Sequence, residues 1–131
     1  MNSNGKSRII PLTLAGLWIT LSEFLRNEIL FKSYWVAHYA ALGLHFETLP
    51  LNGILWTAWS FGLAFLIQQL LRKFTFAGAV GLAWLAAFAL MWITAYNLQV
   101  LPLGLLFFAV PLSGLEVAVA AVILRRSGPR C

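Results

Sequence analysis

The 131-residue chain contains only four acidic residues, and their positions limit the chemistry it could perform. Glu116 sits inside a long apolar run, nine residues before Arg125, which is about 14 Å along a helix axis. That depth is near the middle of a ~30 Å hydrocarbon core, where a charge is expensive unless it is paired, neutralised or facing water. Two roles fit such a group. One is a proton-carrying or cation-binding carboxylate; the other is a neutral acid hydrogen-bonded across helices as structural glue. Ser113, one turn earlier, and the Phe107 carbonyl freed by Pro111 are candidate partners, and Pro111 is expected to kink its helix.

A second constellation is Ser22, Glu23, Arg26, Asn27 and Glu28. At helical spacing Glu23 shares a face with Arg26 and Asn27, while Glu28 pairs with Lys32 one turn on. This is either a local ion pair that neutralises a polar helix end, or a pocket to which His38, Asn52 and Asn97 also contribute. Glu23 lies fifteen residues after Arg8, about 22 Å along the helix and so roughly 8 Å from the level of Glu116. A direct Glu23–Glu116 dyad is therefore not expected without strong helix tilt. His38 and His45 are seven residues apart, too far for a one-turn metal pair, so no metal site is expected. The single cysteine, Cys131, permits no intramolecular disulfide, is not in a prenylation box, and reads as an inert thiol. There is no Gly-rich phosphate loop, nucleophile elbow or cofactor motif, and no cofactor is expected.

The elements that must position these residues follow from composition. Hydrophobic residues make up 61% of the chain and charged residues 10%, far from the roughly 25% charged of a soluble domain. Four apolar segments have the length of membrane-crossing helices, at about 9–31, 51–71, 76–96 and 103–124. They are too continuous for barrel strands. The first resembles a signal peptide, but no small-x-small cleavage site follows it, and it reads as a retained span. The expected fold is an all-α, membrane-spanning four-helix bundle in one domain, residues 1–131. Between spans one and two, Trp35, Tyr39 and Leu42 recur at helical spacing and predict a short interfacial helix ended by Gly43 and Pro50.

Basic residues set the orientation. Lys6 and Arg8, then Arg72 and Lys73, then Arg125, Arg126 and Arg130 fall on one side of a four-span chain. The positive-inside rule places that side, and both termini, in the cytoplasm. These clumps flank apolar runs, so the net charge of +5 indicates a lipid bilayer partner and not a nucleic acid. Small residues at four-residue spacing (Ala79, Ala83 and Ala87; Gly114 and Ala118; Ala58 and Gly62) predict close helix packing, within the chain or in a homodimer or another membrane subunit. Five tryptophans (Trp18, Trp56, Trp59, Trp84 and Trp92) read as packing residues and interface anchors.

The stretches SEFLRNEILFKSYWVAHYAALGL, residues 22–44, and VLPLGLLFFAVPLSGLEV, residues 100–117, resemble uncharacterised families of small four-span bacterial membrane proteins. The resemblance implies a bacterial inner-membrane location and the same four-span plan, and it carries no activity. The chain also has the size of a small multidrug-resistance transporter. In that family a lone carboxylate stands mid-way along span one, whereas here Glu23 comes late and beside Arg26. Three readings remain open. A small transporter, using Glu116 or Glu23, predicts water reaching a carboxylate; a dry, packed site at both argues against it. An accessory subunit predicts no cavity there and mild effects of Glu116→Gln. A membrane-embedded enzyme acting on a lipid or isoprenoid predicts a lateral cleft with two ionisable groups, drawn from Glu23, Glu28 and His38, within reach of a substrate. The non-enzymatic readings are favoured.

Overall fold

A computed structural model describes residues 3–127, with side chains from 8 to 126. Cys131, Arg130 and the Lys6 side chain lie outside the described residues. The described residues form helices joined by loops, with no strand, and four helices are long and apolar enough to cross a membrane: Arg8–Leu30, Pro50–Leu70, Phe76–Asn97 and Leu103–Arg126, here spans one to four. They suggest a multi-pass integral membrane protein. A short helix, Lys32–Ala41, joins spans one and two.

Local chemistry sets the boundaries. The short helix ends at Gly43, whose φ of 71° is left-handed and suits a residue without Cβ. The amide of Leu44 bonds the Tyr39 carbonyl at 2.8 Å and that of Gly43 the Ala40 carbonyl at 3.0 Å, the paired bonds of a Schellman stop. Pro50 opens span two, where its missing N–H is no loss. Thr75 caps span three by accepting the Gly78 amide at 3.2 Å. A 3-10 turn, Leu103–Leu105, leads into the last helix, which runs on through Pro111.

Two spans change winding, span one over its last turns and span three midway. Span one becomes π-helical over Leu25–Leu30, and span three over Leu85–Ala89. A π turn closes i→i+5 bonds, as when the Phe31 amide reaches the Arg26 carbonyl at 2.9 Å, and such segments concentrate at functional sites.

Span one is the hub and packs most extensively against spans two and four. Gly16 allows this, since a Cβ added there would lie 2.6 Å from the ring of Phe61. The expected small-residue faces are realised unevenly. Ala79 and Ala83 are buried as anticipated, but Ala58 and Gly62 face outward and Gly114 and Ala118 are half-buried. Spans two and four instead bury Ser60, Ala64, Ala120 and Ala121. Four-residue spacing identifies a helix face without saying which way it turns, and in lipid a small residue facing outward loses little.

The ends of the bundle differ. At one end Gln68 Nε2 donates to the Arg8 carbonyl at 3.2 Å, and the Arg125 guanidinium lies 5.7 Å from the Phe76 ring centroid. Arg8, Arg72, Lys73, Arg125 and Arg126 therefore share what we call the basic end. At the opposite end the short helix meets the loop before span four, where His38 Nε2 lies 3.2 Å from the Gln99 carbonyl oxygen.

Candidate functional site: a buried Glu–Arg–Glu cluster

Glu23 is on the last α-turn of span one and Arg26 lies inside the π segment that follows. In a helix the Cα–Cβ bonds tilt toward the N-terminus. Spans one and four run in opposite directions, so Glu23, nearer the loop end, leans toward the basic end, and Glu116 leans the other way. The two carboxyl groups converge across the axial gap that the sequence implied. Arg26 Nη1 donates to Glu116 Oε2 at 2.9 Å, and Nη2 donates to Glu23 Oε1. What residue counting did not anticipate is that one guanidinium, that of Arg26, joins the two carboxylates. Counting helical rise alone omitted the opposed lean of two long side chains.

The cluster is closed. Glu23, Arg26 and Glu116 are 4%, 7% and 2% exposed. Asn27 extends it outward: its Nδ2 donates to Glu23 Oε2 at 2.8 Å and to the Glu23 carbonyl at 3.2 Å, while its Oδ1 accepts from Trp35 Nε1 at 3.1 Å. A continuous polar chain thus runs Trp35–Asn27–Glu23–Arg26–Glu116. The Arg26 guanidinium lies 5.3 Å from the ring centroid of Phe88, in the π segment of span three, and Trp59 of span two meets Phe88 edge-on at 5.5 Å. An aromatic face beside a desolvated guanidinium adds attraction without adding charge. All four spans contribute to the environment of one arginine.

Two imbalances remain. With both carboxylates ionised the trio carries two negative charges against one positive, so one proton or monovalent cation would neutralise it. Glu116 Oε1 is also the one buried side-chain polar atom, among the described residues, without a hydrogen-bond partner. Ser113 does not supply that partner: it accepts from Trp84 Nε1 at 2.9 Å and donates to the Val110 carbonyl at 3.0 Å.

The remaining candidates lie apart from the cluster. Glu28 pairs with Lys32 at 3.2 Å in a half-exposed bridge. His38 and Asn97 line a separate, open groove of about 560 Å³ with Tyr96, Gln99, Leu101 and Leu103. Asn52 donates to the Glu47 carbonyl at 2.8 Å and belongs to neither site. Of the two alternatives, the ion pair forms, and the single pocket does not: Asn27 and Trp35 cover Glu23, while His38 and Asn97 line a groove of their own. Trp18 was read as a packing anchor, yet its Nε1 donates to the Glu116 carbonyl at 3.0 Å and ties span one to span four. Nothing in the sequence distinguishes Trp18, or Phe88, from the other aromatic residues of the spans. Among the described residues no three His, Cys, Asp or Glu side chains gather as a metal site.

Comparison of the chain with family models, curated proteins and solved structures yields no match.

Proposed function

We propose that the protein is a non-enzymatic, multi-pass accessory protein of the bacterial cytoplasmic membrane, whose Glu23–Arg26–Glu116 cluster is a clasp that fastens the four spans. The observation that carries this reading is the near-complete burial of three charged groups joined directly across spans one and four. A transport site predicts water beside a carboxylate, and these carboxylates are sealed. An enzyme needs two ionisable groups facing one substrate, and Glu28 and His38 are engaged separately. The accessory role implies a partner, either a second copy or another membrane subunit. The resemblance to small four-span bacterial families supports the location. The basic end supports placing both termini in the cytoplasm. The short helix buries none of its residues, and Trp35 and Tyr39 cluster with Phe46, which suits a helix lying in the opposite interface.

One observation favours a second reading. The unpartnered Glu116 oxygen and the excess negative charge fit a site that takes up a proton or monovalent cation when the bundle opens. Reconstitution in liposomes loaded with a pH-sensitive or sodium-sensitive dye, under an imposed potassium–valinomycin potential, separates the two. The clasp reading expects no protein-dependent flux in the wild type and little loss of thermal stability in Glu116→Gln. Wild-type flux that disappears in Glu116→Gln would replace the clasp with a transport site.

A further inference from the structure

The chain's acidic side chains are Glu23, Glu28, Glu47 and Glu116, and none stands at the basic end. Glu116, the nearest along span four, is about 14 Å up the helix from Arg125 and engaged with Arg26. The cations of the basic end therefore face no acidic side chain, yet two of them form a wall of a defined cavity. Between the start of span three and the end of span four lies an open groove of about 690 Å³, lined by Phe76, Val122, Arg125 and Arg126. One wall is apolar, and two guanidinium groups stand at the level where the spans end. Arg125 rests against the Phe76 ring. Attraction of this kind to an aromatic ring consumes none of the guanidinium's N–H donors, which stay available to grip a phosphate.

We propose that this groove seats the headgroup of an anionic phospholipid from the adjoining leaflet, with Arg125 and Arg126 on the phosphate and Phe76 and Val122 against the glycerol and upper acyl chains. An occupant must supply negative charge at the membrane surface and an apolar body below it, and an anionic lipid supplies both. The site lies at the far end of span four from the clasp's outer partners, and the proposal holds whether or not the clasp reading does.

The test uses the full-length protein in neutral detergent, with retained lipid counted by native mass spectrometry after exposure to equal phosphatidylglycerol and phosphatidylcholine. The wild type should retain phosphatidylglycerol at least about tenfold better. Arg125→Gln with Arg126→Gln should abolish that preference. Val122→Trp, which keeps both charges and fills the groove, should abolish it as well and serves if the arginine pair proves unstable. Arg72→Gln with Lys73→Gln, which alters basic residues outside the groove, should leave the preference nearly unchanged. Equal retention of the two lipids would overturn the proposal. So would undiminished preference in Val122→Trp, or a loss in the Arg72/Lys73 pair as large as in the groove pair, which would indicate a diffuse charge effect. Displacement of the lipid by soluble glycerol phosphate at equal concentration would mean that phosphate, and not lipid, is the ligand.

Discussion

Arg26 is the residue on which the interior depends, because it is the only described cation within reach of either buried carboxylate. Removing one member of a buried ionic group leaves its partners desolvated and uncompensated, typically at about 3–5 kcal/mol. Arg26→Met should therefore destabilise the bundle by roughly that amount in thermal unfolding of the detergent-purified protein. Adding Glu116→Gln to Arg26→Met should recover part of the loss, since it removes one of the two stranded charges; strictly additive losses would show that the groups do not act as one cluster. Trp18→Phe deletes the indole N–H and trims a partly buried ring, so a smaller loss of about 1–2 kcal/mol is expected. A loss as large as that of Arg26→Met would mean that Trp18 has a role beyond its single bond to the Glu116 carbonyl.

At the scale of elements, the approach of spans one and two depends on Gly16. Gly16→Val drives a branched side chain into Phe61 and should cost about 1–3 kcal/mol, as overpacking does, and Phe61→Ala in the same chain should recover most of it. Failure of that rescue would place the strain elsewhere. The elements also show what the sequence could reveal. The spans are legible because the length of an apolar run is a local property set by bilayer thickness. The Glu23–Arg26–Asn27 group and the Glu28–Lys32 pair are legible because helical spacing alone brings them together. The π segments are not, since Leu25–Leu30 and Leu85–Ala89 have no composition that separates them from the α-helix around them. The outward turn of Ala58 and Gly62 was equally hidden, because it depends on which neighbours span two meets. The Arg26–Glu116 bond joins residues 90 apart and depends on the direction in which two side chains lean, which residue counting along an axis does not contain.

For the whole molecule, the asymmetry between a basic end and a loop end makes orientation testable. A reporter enzyme fused after Arg126 should be active only in its cytoplasmic form, and a periplasmic signal would reverse the topology proposed above. The long separation between Arg26 and Glu116 also has a consequence for biogenesis. A chain made from its N-terminus delivers span one to the membrane while Glu116 is still unmade. At that stage Glu23, three residues away, already offers Arg26 a carboxylate, so the pair can enter lipid with its charges locally compensated. Glu116 arrives only with the last span. Closure of the bundle then waits for span four, and a chain that stops before it would hold Arg26 with one of its two carboxylate partners, a state that membrane quality control could recognise as unfinished.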